Sequence, residues 1–210
     1  MHPILERFQR DVASHQMEVL HDDGLYRHLR FSRDGSSAYH FNITTWPGYL
    51  AITGDMGDFV FSRVQDMFAF FRDEPGRLGI NPGYWAEKIQ AGASTPDRSL
   101  YMDWDEKAFK QRVVEEYKRW LESNGPLDPE VSSDLKDQIR EEILDEAHSE
   151  ELACVAVANF HSDDAPDLFD DFLMELGSSC HEYSFHYLWC CWAIVWGVSR
   201  YDEQREAAAA

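Results

Sequence analysis

A run of 17 residues from Tyr183 to Ser199, YSFHYLWCCWAIVWGVS, contains no Asp, Glu, Lys or Arg. Three Trp, two Tyr and one Phe in that run must leave water, so the rest of the chain has to be arranged around it or around its absence in a bilayer. Seventeen residues is the bottom of the range for a membrane span. The run also carries His186, and no other segment matches it in apolar character. The reading is therefore a buried central helix over about 182–201, apolar on nearly every face. The chain has 210 residues, and its 29 aromatic side chains are enough to build the surrounding core.

The elements that could surround it can be read along the chain. Ile4, Leu5, Phe8, Val12 and Val19 predict a first helix over 3–20. From Leu25 to Ser32 apolar and polar residues alternate, and the turn-forming run Asp34-Gly35-Ser36-Ser37 follows. Strands over Tyr39 to Thr45, Tyr49 to Thr53 and Phe59 to Phe61 are separated by Trp46-Pro47-Gly48 and by Gly54-Asp55-Met56-Gly57-Asp58. Four short strands with tight connections make an antiparallel meander over about 25–63. Val64 to Arg72 predicts a short helix packing Val64, Met67, Phe68 and Phe71 on it. A Gly- and Pro-rich stretch from Pro75 to Pro96 holds one helical piece around Tyr84 to Gln90. Asp103-x-x-Glu106 resembles a capping box for a helix with Phe109, Val113, Tyr117, Trp120 and Leu121 on one stripe, ended by Gly125-Pro126. Asp128-Pro129 caps the next, with Val131, Leu135, Ile139 and Ile143, and a further helix is expected over Pro166 to Leu176. The fold class is α+β: a small antiparallel sheet against a helical layer with a buried C-terminal helix. It is expected as a single domain over 1–210, made of a helix and sheet (1–72), a loop-rich segment (73–102) and an acidic helical part (103–205).

Charge is distributed very unevenly over this plan. The net charge is −20. Residues 1–127 hold 19 acids and 15 bases, while residues 128–182 hold 17 acids and only Lys136 and Arg140, a net of −15. Apolar residues at helical spacing interrupt the acidic block, so it reads as folded helices with acidic outer faces. At 100° per residue Glu130, Asp134, Asp137, Glu141 and Asp145 fall within a sector of about 80° beside the Val131-Leu135-Ile139 stripe. They cover roughly 22 Å, along which duplex DNA carries about 13 phosphate charges. Five carboxylates fall short of that density. Asp163, Asp164, Asp167, Asp170 and Asp171 bring the count closer if the two surfaces join. So acidic a chain repels nucleic acid and anionic membranes, and its acidic face reads either as an ordinary solvated surface or as a docking surface for a basic, nucleic-acid-binding protein.

Catalytic signals are sparse. The Gly54–Asp58 turn lacks the Lys-Ser/Thr of a phosphate loop and the spacing of a calcium loop, and hairpin turns use Gly and Asp for positive φ alone. His186 and Cys190 are four apart on one helical face within the Cys180–Cys191 cluster. A tetrahedral metal site would still need two ligands from elsewhere, with His148, Cys154 and His161 as candidates, so no metal and no cofactor is expected. Four cysteines, two of them adjacent, suit reduced thiols in a cytoplasmic compartment. No nucleophile elbow, zinc-helix motif or dinucleotide fingerprint occurs, so no catalytic residue is assigned. An enzymatic or ligand-binding reading would centre on Asn42, Trp46, Asp55, Tyr84, Trp85 and Lys88, brought into one pocket beside the sheet.

Three blocks, YHFNITTWPGYLAITGDMGDFVFSRVQDMFAFFR (Tyr39 to Arg72), INPGYWAEKIQA (Ile80 to Ala91) and FHYLWCCWAIVWGVSRYD (Phe185 to Asp202), resemble a family of uncharacterised proteins of tailed bacteriophages and prophages. The resemblance implies a phage-encoded protein working in the bacterial cytoplasm. It carries over no site residues, and it leaves out the acidic segment 128–182. Together with the charge it leads to an expectation of an accessory protein that binds a host protein through acidic residues. The partner would have a basic or nucleic-acid-binding surface, as in a CRISPR complex or restriction system. The competing expectation is an enzyme or ligand-binding protein of phage nucleotide or nucleic-acid metabolism.

Overall fold

The computed structural model describes residues 3–72, 78–90 and 98–210. The chain divides into two compact units: Met1–Tyr101 with Tyr183–Ala210, and Met102–Glu182. The fold is α+β, with an antiparallel sheet packed against helices that include the C-terminal one.

In the first unit, helix α1 (Pro3–Asp11) precedes a five-stranded antiparallel sheet. Its strands are β1 (Gln16–Asp23), β2 (Tyr26–Arg33), β3 (Ser36–Trp46), β4 (Tyr49–Gly54) and β5 (Phe59–Ser62), in the spatial order of the sequence. Alternation decides which face is inward: Leu29 and Phe31, Phe41 and Ile43, Leu50 and Ile52, and Phe59 and Phe61 are buried, and their neighbours face outward. Helix α8 (Phe185–Ala209) lies against the inward face, with twelve buried residues from Tyr187 to Tyr201. Gly197 is where the contact is closest. A Cβ there would stand 2.6 Å from Ile43 Cδ1 and 3.1 Å from Phe31 Cζ.

Helix α1 is shorter than its spacing suggests. The expected helix over 3–20 stops at Asp11, and Gln16–Asp23 pairs with β2 instead, as an edge strand with nearly every residue exposed. Val19, read as a helix-face residue, is 39% exposed. Backbone pairing, not burial, holds this strand, so no apolar alternation marks it. The register shifts between Val19 and His21, which sets Asp22 opposite Arg27.

Arg27 is the one buried cation of the sheet, 8% exposed. Its Nη1 and Nη2 reach Asp66 Oδ1 and Oδ2 at 2.8 and 3.4 Å, and its guanidinium lies 4.5 Å from the Phe68 ring centre and 5.6 Å from that of Tyr201. Asp66 also accepts from the Phe68 backbone N–H, capping helix α2 (Met67–Phe71). Val64, expected on the helix face, precedes α2 and is exposed. Tyr201 donates to Asp22 at 2.9 Å, and Arg72 binds Asp202 through two bonds of 2.7 and 2.9 Å. These bonds fasten the far half of α8 to β1, β2 and α2. Helix α3 (Pro82–Ala86), capped by Asn81, replaces the piece expected around Tyr84 to Gln90, and Ile89 bridges to Phe61. Pro75 and Pro96 lie outside the described residues.

The second unit starts at β6 (Met102–Trp104), which pairs with β7 (His181–Tyr183). Helix α4 (Glu106–Asn124) is capped by Asp105, which accepts from the Ala108 N–H, because Asp103 is taken into β6. Gly125 ends it as expected, and Phe109, Val113 and Tyr117 are buried. Helix α5 (Pro129–Ile139) has the expected Asp128 cap. It runs into a π-helical turn over Arg140–Leu144, where the Asp145 N–H donates to the Arg140 carbonyl. Leu135, Ile139, Ile143 and Ala147 are all buried at a spacing of four, which the wider turn keeps on the core side. Helix α6 (Glu150–Asn159) and the short helix α7 (Phe172–Leu176) complete the core with Val157, Leu168, Phe169 and Phe172. The helix expected from Pro166 begins only at Phe172, the preceding residues forming turns. Among the described residues no helix is long and apolar enough to cross a membrane.

Two substitutions measure these contacts. Asp66→Ala should cost about 3 kcal/mol in urea unfolding, since it strands a buried guanidinium. Arg27→Met, which removes the charge itself, should cost less. Gly197→Val should cost about 1–3 kcal/mol by overpacking, read from the same unfolding midpoints.

Candidate functional site

All ten carboxylates singled out by sequence belong to the second unit and are exposed. This unit holds 23 acids against 7 bases, a net of −16, whereas the first holds 16 against 12, a net of −4. Glu130, Asp134 and Asp137 lie on α5, Glu141 lies in the π turn, and Asp145 follows it. The five are therefore not one straight ridge on a single α-helix, as the 100° projection implies. The π turn shifts the phase of Glu141 and Asp145 relative to the first three. Arg140 divides the row further, lying 3.1 Å from Asp137 and 3.3 Å from Glu141.

The second acidic segment adjoins the first. Gln138 Nε2 donates both to Glu142 and to the His161 carbonyl, tying the end of α5 to the chain that leads into Asp163 and Asp164. Asp163 is 3.6 Å from His161, and Asp167 accepts from Trp120 Nε1 at 2.8 Å, which anchors that stretch to α4. Asp164, Asp170 and Asp171 form no ion pair among the described residues. Such a surface can attract a basic macromolecule.

The residues proposed for a pocket beside the sheet are dispersed. Asp55 accepts from the Tyr39 N–H at 2.8 Å and Asp58 from the Gly54 N–H at 3.1 Å, so both carboxylates of the Gly-bracketed turn serve the backbone. Tyr39 has a φ of 59°, and Gly54 has no room for a Cβ, which would collide with the His40 carbonyl oxygen. Asn42 stands on the outward sheet face between Arg30 and Thr53, and Trp46 stacks on Tyr49. Tyr84 and Trp85 line an open depression of about 880 Å³ with Arg63, Phe70 and Arg72; Asn42, Trp46, Asp55 and Lys88 do not line it. Lys88 instead lies over the Tyr84 ring and 3.0 Å from Glu87. A trench of about 1000 Å³ along α8 carries Arg27, Arg72, Arg200 and Arg205. Each of these guanidiniums is paired, with Asp66, Asp202, Glu203 and Asp22 respectively, so the trench offers no free cation among the described residues.

His186 and Cys190, four apart on α8, do meet at one point. His186 Nδ1 is 3.0 Å and Cys190 Sγ 3.6 Å from the Met56 carbonyl oxygen. They grip the Gly54–Asp58 turn, and no group of three or more metal-ligating side chains occurs among the described residues. Burial pushes the Cys180, Cys190 and Cys191 thiols up.

Nothing in the spacing of residues 150–176 marks an outward apolar face, yet one is present. Helix α6 turns Leu152 (48% exposed), Val155 (56%) and Ala158 to the outside, and on α7 Met174 is 82% exposed. The available signal was the uncharged run LACVAVANF, residues 152–160, inside the acidic block. Comparison with protein-family models, with curated proteins and with solved structures finds no match for the chain.

All four cysteines are free, and only Cys154 is part-exposed. Partial burial and the neighbouring Glu150 and Glu151 push the Cys154 thiol up, so one thiol in the native protein should react with an aromatic disulfide reagent, slowly at neutral pH and faster as pH rises, and the other three only after unfolding. A second reactive thiol in the native protein would contradict the burial of Cys180 in the second unit or of Cys190 and Cys191 on α8.

Proposed function

We propose that the chain is a phage-encoded accessory protein of the bacterial cytoplasm that binds a host protein through the acidic surface of the second unit. The observation that carries this reading is the concentration of acid: ten exposed carboxylates in two segments that Gln138 links at one point, on a unit of net charge −16. Its natural complement is a basic groove that otherwise holds DNA or RNA, as in a CRISPR complex or a restriction enzyme. Such a protein acts by occupying the groove, as a partial mimic of the phosphate backbone, and has no need to bind nucleic acid itself. A non-catalytic role is supported by the use of Asp55 and Asp58 as backbone acceptors and by the separation of Asn42, Trp46, Asp55 and Lys88 from the depression that Tyr84 and Trp85 line.

Converting Glu130, Asp134, Asp137, Glu141 and Asp145 together to lysine should abolish capture of the partner from infected-cell lysate while circular dichroism and unfolding midpoint stay close to the parent. Wild-type capture should fall steeply as salt rises from 0.1 to 1 M, where the screening length shrinks from about 10 to about 3 Å. Capture that survives the charge reversal would remove the acidic surface from consideration.

A further inference from the structure

Helix α6 has two apolar faces where an ordinary surface helix has one. Ala153 and Val157, 0% and 4% exposed, face the core of the second unit; Leu152, Val155 and Ala158, at spacings of three, form an outward stripe roughly 9 Å long. From Leu152 to Phe160 the helix and its cap carry no charge. Helix α7 packs against α6 and adds Met174, the most exposed large apolar side chain among the described residues, whose flexible thioether adapts to varied partners. Glu151 on α6 and Asp170 and Asp171 just before α7 are exposed and have no ion pair among the described residues.

We infer that the Leu152–Val155–Ala158 stripe and Met174 form an anchoring spot for a basic amphipathic helix of the partner protein. The inference rests on the acidic-surface reading and adds the form of the partner's contact. Charge decides the occupant. A second copy would bring two units of net −16 together, whereas a helix with apolar residues at i, i+3 and i+4 flanked by Lys and Arg satisfies both the stripe and the unpaired carboxylates.

The test uses two synthetic, dye-labelled 20-residue Lys/Leu peptides of identical composition, one with its leucines on a helical stripe and one scrambled. Fluorescence anisotropy with the full chain should show a preference for the striped peptide of about tenfold. Leu152→Ser, Val155→Ser and Met174→Ser combined should erase that preference and leave weak, salt-sensitive binding of both peptides. These side chains are largely solvent-facing, and an unchanged unfolding midpoint verifies that the variant is folded. Equal wild-type affinity for the two peptides, or a preference that survives the triple substitution, overturns the inference. So does sedimentation showing a wild-type dimer that the triple substitution dissolves, which would assign the stripe to a second copy. The five-lysine variant separates the two levels. If it binds both peptides as tightly as the parent, the acidic surface is refuted, while the striped-against-scrambled comparison still judges the apolar anchor.

Discussion

The packing of α8 on the inward face of the sheet is the contact from which the rest of the first unit follows. A helix with buried residues on almost every side cannot rest on a sheet alone; α1, α2 and α3 exist to cover what the sheet leaves open. Close approach is possible because position 197 has no side chain, which lets Phe31 and Ile43 reach the helix backbone. Where α8 leaves the apolar centre, packing gives way to ion pairs and hydrogen bonds involving Asp22, Arg27, Arg72 and Tyr201. The first part of the helix is held by exclusion of water and the last part by directed bonds, so the two respond differently to salt and to denaturant.

The second unit solves a different problem. A net charge of −16 opposes compaction by self-repulsion, and only seven bases are available to relieve it. Its core is accordingly aromatic and aliphatic, from Phe109 through Ile143 to Phe172, and the acids stand outside it. Most of the surplus charge stays in water, and Glu116, whose Oε2 is buried, lies 2.9 Å from Arg119.

Much of this was legible in sequence. Period-two alternation marked β2, β-branched and aromatic content bounded by turn residues marked β3 to β5, and the caps at Asp128 and Gly125 and the buried run at 183–199 stand where the residues place them. What escaped was governed by something other than hydrophobic period. Strand β1 has no buried face to advertise it, so Val19 looked like one more helical position. The π turn changes phase without any change in composition. Helix α6 is apolar on both sides, which erases the amphipathic signal by which helices are found. The acidic residues were legible as a surface, but their division by Arg140 and their joining through Gln138 depend on side-chain geometry that spacing does not encode.

The acidic segment lies wholly in the second unit, which interrupts the first in the chain. Either side of that interruption, the first unit closes on itself: the Ser184 N–H donates to the Tyr101 carbonyl at 2.9 Å, and the Tyr101 and Tyr183 rings are 6.5 Å apart. The chain enters and leaves the 81 intervening residues at adjoining points. The first unit therefore needs only one seam to carry the second, and shortening or replacing the intervening residues would leave the packing of α8 on the sheet untouched.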